Sequence, residues 1–132
     1  MTVPVLHQPP PPARTTLRLQ GLASLIAGIA LLLAAVPLAH AMGVARPSAV
    51  ALAGVFFTIY GADALGSAVA RRLRRVNVLP FAVVDAACAV GILLLLAAGS
   101  SAFTSVGLAI LAGGAAILGW FAFTGFRATR AL

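Results

Sequence analysis

The chain has 132 residues, of which 62% are apolar and only 8% are charged, and its mean hydropathy is +1.11. This balance excludes an ordinary soluble domain, in which about a quarter of the residues are charged. The formal charge of +7 comes from arginines grouped between apolar stretches without interleaved aromatic residues. We therefore expect the lipid surface, and no nucleic acid, as the anionic partner. The single cysteine, Cys88, cannot form an intramolecular disulfide.

The first residues, MTVPVLHQPPPPARTT, hold five of the eight prolines and show no apolar periodicity. We predict that residues 1–18 form a disordered, proline-rich cytoplasmic tail. An alternative concerns processing, because Arg14, Arg18, the following apolar run and the tripeptide at 39–41 together resemble a signal peptide with its cleavage site. The apolar run of about 19 residues exceeds the usual 7–15 of signal peptides. We therefore favour a retained helix over cleavage after Ala41.

Four apolar runs are long enough to cross the hydrocarbon core, which takes about 20 residues of helix. Leucine- and alanine-rich runs of this length favour helices, because a helix satisfies its backbone groups internally in lipid. Pro47 with Ser48 marks the start of the second run, Asn77 and Pro80 mark the start of the third, and a turn at 99–101 separates the last two. The sequence therefore predicts an all-α, polytopic membrane domain over residues 19–126, with transmembrane helices at about 19–41, 48–70, 78–98 and 102–126.

Arginine placement predicts the orientation of these helices, because short loops rich in Lys or Arg stay on the cytoplasmic side. Arginines precede the first span, join the second span to the third and follow the fourth, whereas only Arg46 lies between the first two. We therefore predict two antiparallel hairpins with both termini in the cytoplasm and a short basic tail at residues 127–132. The lack of lysine and the richness in Ala, Leu, Gly and Val indicate a bacterial chain, so the predicted location is the inner (plasma) membrane.

Asp63 and Asp85 are the only acidic residues, and both fall inside predicted spans. At a rise of 1.5 Å per residue, each lies roughly 12 Å along its helix from the arginine-rich loop, so we expect the two carboxyl groups to meet at one depth. A charged Asp at a helix centre costs about 2.5–3.5 kcal/mol. The pair is therefore expected to share a proton. Gln20, Tyr60 and Ser67 are the polar neighbours expected near that depth.

Three interpretations of the aspartates stay open. They form a hydrogen-bonded contact between helices, worth about 0.6–2 kcal/mol per interaction, or they carry protons, or they pair with a transmembrane arginine of a partner protein. Small residues accompany each aspartate on its helix face, which predicts that the second and third spans pack through these faces. The small residues are Gly66, Ser67 and Ala70 beside Asp63, and Ala82, Cys88 and Ala89 beside Asp85.

The loop RRLRR carries Arg71, Arg72, Arg74 and Arg75. It is interpreted as a topology determinant that also attracts anionic lipid headgroups, at about 1 kcal/mol per residue. The sequence shows no glycine-rich phosphate loop, no nucleophile with a base and an orienting group, and no metal-ligand cluster. We therefore expect no catalytic residues, no metal and no cofactor, and the chain is not expected to be an enzyme.

Three features resemble a loose group of small, uncharacterised four-helix bacterial integral membrane proteins: the stretch LRLQGLASLIAGIALLL, a single polar residue early in the third span, and the ending GWFAFTGFRATR. The resemblance covers most of the chain and implies a fold but no activity. Such proteins often carry an uncharged Asn where this chain has Asp85. The small multidrug transporters are similar in size and number of spans, but their essential acid is a glutamate in the first span, where this chain has none.

These features lead us to expect a small non-enzymatic integral membrane protein. It would be an accessory or assembly partner, with an Asp63–Asp85 contact between helices, and would act as a homo-oligomer or with another membrane protein. The alternative is a small proton-coupled transporter or channel, with Asp63 and Asp85 carrying the proton and Tyr60 and Ser67 lining its route. A lipid-binding scaffold that works through the four loop arginines is the third hypothesis.

Overall fold

The computed structural model describes residues 12–69, 73–130 and 132, without the side chains of residues 12 and 100, and every regular element in these residues is helical. A 3-10 turn, Ser100–Ala102, precedes the last of five α-helices. Four helices are long and apolar enough to cross a membrane, which confirms the all-α class and is compatible with a multi-pass protein. We number the helices α1 (Pro12–Leu33), α2 (Ala35–Met42), α3 (Pro47–Ala68), α4 (Arg75–Gly99) and α5 (Ser105–Arg130).

Helices extend beyond their predicted limits near both ends of the chain. α1 begins at Pro12, so residues 12–18 are helical and their assignment to a disordered tail was wrong. Proline suits a first helical position, because the N–H that it lacks would have no partner there. α5 continues to Arg130, with Arg127 and Arg130 on its last turn, where basic side chains complement the carbonyl end of the helix. Residues 1–11 of the predicted tail lie outside the described residues.

The first predicted span is broken into α1 and α2 at Ala34. This residue has φ −110° and ψ 21°, outside helical geometry. The cause is Pro37, which cannot donate to the carbonyl of Leu33 and whose ring crowds that carbonyl. The hydrogen-bond ladder resumes at once, with the Leu38 N–H donating to the Ala34 carbonyl at 2.8 Å.

Prolines mark the start of α3 but not that of α4. Pro47 is the first residue of α3, as predicted. α4 instead begins at Arg75 and contains Pro80 in its interior. The Asn77 N–H donates to the Arg74 carbonyl at 2.9 Å, so the helix is already formed one turn before the proline. Because Pro80 has no N–H, the carbonyl of Val76, near the start of the helix, has no helical hydrogen-bond donor.

α1 packs most extensively on α3, through glycines that bring the two backbones close together. A Cβ atom added at Gly28 would lie 2.8 Å from the carbonyl oxygen of Gly54, and one added at Gly61 would lie 2.7 Å from that of Gly21. Such distances are shorter than van der Waals contact, so no side chain fits at these crossings. The two glycines of each helix are seven residues apart, which places them on one face two turns apart.

Thr104 ties the end of α2 to the start of α5. Its hydroxyl donates to the Ala41 carbonyl at 2.5 Å and accepts from the Gly107 N–H at 3.1 Å, and its own N–H donates to the Met42 carbonyl at 3.1 Å. The chain leaves α2 through Gly43, whose φ of 80° favours glycine. Thr104 therefore caps α5 and fixes the last turn of α2 beside it.

The helices form two closely packed pairs, α1 with α3 and α4 with α5, and α1 also contacts α5. α3 and α4 make few direct contacts, so the prediction that they pack through the small residues beside Asp63 and Asp85 was wrong for the described residues; Ala70 lies outside them. At Gly66, one of those small residues, no described atom beyond the adjoining helix backbone lies within 4 Å of the position where a Cβ would be. At one end all four long helices meet in a small apolar core that consists of Ala13, Leu17, Ala64, Ala68, Val78, Phe81 and Ala128.

Candidate functional site

Asp85 lies at the centre of a buried polar network formed by three helices. Its side chain is 0% exposed, and that of Gln20 on α1 is 2% exposed. The Gln20 amide nitrogen Nε2 donates to Oδ2 of Asp85 at 2.5 Å and to the Tyr60 hydroxyl at 2.6 Å. The Tyr60 hydroxyl on α3 lies 2.9 Å from Oδ1 of Asp85 and 2.9 Å from the carbonyl oxygen of Phe81. We call these groups the Asp85 network.

Aromatic packing holds Tyr60 in this position. Its ring stacks on Phe56 with centroids 5.6 Å apart and meets Phe81 edge to face at 5.3 Å. Such pairs contribute about 0.5–1.5 kcal/mol beyond the area that they bury. The phenol is therefore fixed from both sides, and its hydroxyl points at the carboxyl group of Asp85 and the backbone of α4.

The side chains of Gln20 and Tyr60 supply the hydrogens of the network. Gln20 uses both amide hydrogens, one for Asp85 and one for Tyr60. Tyr60 has a single hydroxyl proton, yet its oxygen faces two groups that accept hydrogen bonds, the Phe81 carbonyl and Oδ1 of Asp85. The Tyr60 hydroxyl therefore bridges the carboxyl group of Asp85 and the backbone of Phe81 with its single proton.

Asp63 occupies a different environment, the groove between α3 and α4. This α3–α4 groove has a volume of about 430 Å³ and is open at the surface of the bundle. Asp63 is exposed there, and Ser67 and Asn77 contribute further polar groups. The groove is lined by Tyr60, Asp63, Ser67, Val76, Asn77, Pro80, Phe81 and Val84. Tyr60 therefore contacts the buried network with its hydroxyl and borders the groove that holds Asp63.

The structure brings together three of the predicted polar residues, Gln20, Tyr60 and Asp85, and separates Asp63 from them. The predicted contact between the two aspartates is therefore corrected: Asp85 bonds to Gln20 and Tyr60, and Asp63 faces the groove. The reason is helix rotation. α3 turns Gly61 toward α1, and a residue two positions further on lies about 200° around the helix, away from the interior.

The arginines of the chain differ in their surroundings. Arg71 and Arg72 lie outside the described residues, and Arg74 is exposed. Arg75 lines a second cleft together with Arg130, which sequence reasoning did not single out. Two further arginines contact the bundle itself. Arg14 donates from Nη1 to the Ala68 carbonyl at the end of α3, at 2.6 Å, and the guanidinium of Arg127 lies 5.6 Å from the ring centre of Phe123.

Sequence reasoning also missed the backbone acceptor of Phe81 and the buried Ser24, which is 7% exposed on α1. Ser24 follows Gln20 by one helical turn, so an i, i+4 search for polar residues would have found it. No sequence signal marks a carbonyl that accepts a side-chain hydrogen bond. Within the described residues, no group of three or more His, Cys, Asp or Glu side chains could hold a metal ion.

Comparison with known proteins finds no family model that matches the chain and no significant similarity to a curated protein or a solved structure.

Proposed function

We propose that this chain is a small, non-enzymatic integral membrane protein that serves as an accessory or assembly partner of another membrane protein. The observation that carries the proposal is the burial of Asp85, whose two carboxyl oxygens both bond to side chains of other helices. A carboxyl group used in this way connects α1, α3 and α4 and has no exposed face for a substrate. It acts as a structural contact, and the α3–α4 groove offers a surface for recognition.

In the proposed topology, two antiparallel hairpins lie in the bacterial inner membrane with both termini in the cytoplasm. The arginine count supports this orientation. Contacts between helix ends also support it, because Arg14 near the start of α1 bonds to the end of α3, and Arg75 at the start of α4 lines a cleft with Arg130 at the end of α5. The start of α1 thus lies beside the end of α3, and the start of α4 lies beside the end of α5.

The proposed partner is a transmembrane helix that carries a basic residue and lies along the α3–α4 groove. An ionised carboxylate at the depth of Asp63 costs about 2.5–3.5 kcal/mol in a helix centre, and a Lys or Arg of a partner at that depth would offset the cost. Ser67 and Asn77 supply hydrogen-bonding groups in the same groove. Charge complementarity at Asp63 therefore selects the partner, while the buried network keeps the groove in shape.

Site-specific photo-cross-linking in cells tests this proposal. A photoreactive amino acid at Ser67, in the groove, should give a discrete adduct, and the same group at Leu94, which is 64% exposed on α4, should not. The adduct should persist with Asp63→Glu and disappear with Asp63→Lys, which repels a basic partner. An adduct indifferent to Asp63→Lys, or identical adducts from both positions, would contradict the proposal. An adduct with the mass of two chains would make a second copy the occupant.

A second candidate function, proton-coupled transport, is favoured by one specific contact. Tyr60 bonds to Asp85 inside the bundle and borders the groove that contains Asp63 and Ser67, so it links a buried acid to an exposed one. Proton flux into liposomes under an imposed pH gradient tests this route. A relay predicts flux in the wild type that falls at least about tenfold with Asp85→Asn or Tyr60→Phe. Equal flux in protein-containing and empty liposomes contradicts an uncoupled proton path.

A further inference from the structure

A cleft, which we call the α4–α5 cleft, lies between the first turn of α4 and the last turn of α5. It has a volume of about 290 Å³ and is lined by Arg75, Leu79, Phe126, Thr129 and Arg130. Both arginines are exposed at its rim. The Thr129 hydroxyl already donates to the Gly125 carbonyl at 2.8 Å, so the polar recognition groups of the cleft are the two guanidinium groups.

Two positive charges share this cleft without a nearby acidic side chain. The chain contains nine arginines and only two acidic residues, so most arginines have no carboxylate to pair with. Asp85 belongs to the buried network and Asp63 to the α3–α4 groove. The cleft is therefore electrostatically suited to an anion, and guanidinium groups bind phosphate oxygens with pairs of parallel hydrogen bonds.

The apolar residues of the cleft indicate what the anion is attached to. Leu79 follows Arg75 by four residues on α4, and Phe126 precedes Arg130 by four residues on α5. Residues four apart lie on one face of a helix, one turn from each other. Each helix thus places an arginine at its end and an exposed apolar side chain one turn deeper. Leu79 is 39% exposed and Phe126 is 37% exposed, which leaves both available for an acyl chain.

We propose that the α4–α5 cleft is a binding site for an anionic phospholipid, with the phosphate held by Arg75 and Arg130 and the first part of an acyl chain on Leu79 and Phe126. Basic pockets between transmembrane helices bind such headgroups in membranes. The site differs from a general attraction of the arginine-rich loop to the membrane surface, because it uses one loop arginine and one arginine from the end of α5. It is independent of the proposed partner groove.

Lipid titration of the delipidated protein, followed by native mass spectrometry, tests the proposal with phosphatidylglycerol, cardiolipin and zwitterionic phosphatidylcholine as ligands. One tight adduct is expected with the anionic lipids only. Arg75→Gln or Arg130→Gln should weaken that adduct about fivefold to tenfold. Arg74→Gln and Arg127→Gln remove the same charge from neighbouring positions outside the cleft, and they should change the affinity less than twofold.

The controls separate the cleft from simpler explanations. Equal weakening by all four substitutions would overturn the proposal, because it would show general surface attraction. An adduct that is insensitive to Arg75→Gln and Arg130→Gln would also overturn it. Inorganic phosphate is added to distinguish the free anion from the lipid: it should not compete at millimolar concentration, and full competition would show that the acyl chain contributes nothing. Unchanged thermal unfolding of each variant verifies that the fold is intact.

Discussion

Each polar side chain of the Asp85 network would destabilise the protein if it were buried alone. A buried donor or acceptor without a partner costs about 1–3 kcal/mol, and the cost rises in a region that water does not reach. Gln20 and Asp85 are both almost completely buried, and each bonds to the other and to Tyr60. The network is therefore stabilising only as a complete set, and removing one member exposes the others to that cost.

The two aspartates should respond oppositely to the same substitution. Asp85→Leu leaves one buried amide hydrogen of Gln20 without an acceptor and removes the bond between Asp85 and Tyr60, so we expect a loss of about 1–3 kcal/mol in the free energy of unfolding. Asp63→Leu removes an exposed polar group from a helix in lipid and should be neutral or stabilising. Asp85→Asn places a hydrogen-bonding side chain of nearly the same shape in the network and should cost less than Asp85→Leu. Equilibrium unfolding in mixed micelles by titration with SDS measures all three, and equal losses at both positions would contradict the assignment of roles.

At this scale the sequence predicted the members of the network better than their partners. Gln20, Tyr60 and Asp85 were predicted because polar residues are rare in apolar spans and their depths agree. The pairing of Asp63 with Asp85 was wrong, because depth along a helix does not determine rotation about its axis. The rotation of α3 depends on which of its glycines contact α1. That contact depends on the shapes of both helix surfaces and cannot be derived from α3 alone.

At the scale of the helices, close packing of α1 on α3 depends on the absence of side chains at four positions. Gly21 and Gly28 face Gly61 and Gly54 at distances that exclude a Cβ atom. Lipid chains are as apolar as leucine side chains, so helix association in a membrane relies on such van der Waals contact. The same interface sets the rotation of α3 and thereby points Tyr60 at Asp85.

Alanine substitutions at two glycines of α3 test this interface. A Cβ at Gly61 would lie 2.5 Å from the backbone nitrogen of Leu25, whereas a Cβ at Gly66 would have no described atom beyond its own stretch of helix within 4 Å. Since backbone cannot move aside as a side chain can, Gly61→Ala should destabilise the fold by about 1–3 kcal/mol. Gly66→Ala should be neutral or stabilise it by up to about 1 kcal/mol, through helix propensity. Measured free energies of unfolding compare the two variants. A Gly61→Ala variant as stable as the wild type would show that α1 and α3 lie further apart.

The connection between α2 and α5 provides a second test with a matched substitution. Thr104→Val removes both the hydroxyl that caps α5 and the bond to the Ala41 carbonyl, so we expect a loss of about 1 kcal/mol. Thr124→Val removes a hydroxyl that bonds only to carbonyls of its own helix, those of Trp120 and Phe121, and should change stability by less than about 0.5 kcal/mol. Thermal unfolding in detergent compares the variants, and equal effects would argue against the cap.

The helical class and the number of helices long enough to cross a membrane followed from hydropathy, whereas the breaks did not. Pro37 interrupts the first span, yet Pro80 is accommodated inside α4. Both residues lack a backbone donor, and each leaves one carbonyl without its helical partner, that of Leu33 for Pro37 and that of Val76 for Pro80. The start of α1 at Pro12 was missed because the search for spans counted only apolar residues, while the first turns of α1 include Arg14 and Arg18.

Helix α1 connects the two helix pairs. It packs on α3, contacts α5, and donates hydrogen bonds from Gln20 to groups on α3 and α4. Cleavage after Ala41 would remove this helix, leave Tyr60 and Asp85 without Gln20, and uncover Gly54 and Gly61. We therefore predict that the membrane-embedded protein retains its first span. The intact mass of protein extracted from membranes should include residues 12–41, and a mass that begins at residue 42 would contradict the prediction.

Cysteine labelling tests the proposed arrangement of the spans in the membrane. In a Cys88→Ala background, single cysteines at Ala45 and Ser101 lie in the two connections proposed to face outward, and those at Thr15 and Arg74 lie at the arginine-rich ends. A membrane-impermeant maleimide added to spheroplasts should modify the first two, and it should reach the other two only after permeabilisation, because arginine-rich ends stay in the cytoplasm. The reverse pattern would invert the orientation. Labelling of Ala45→Cys without Ser101→Cys would contradict the two-hairpin arrangement itself, since the two connections must then lie on opposite faces of the membrane.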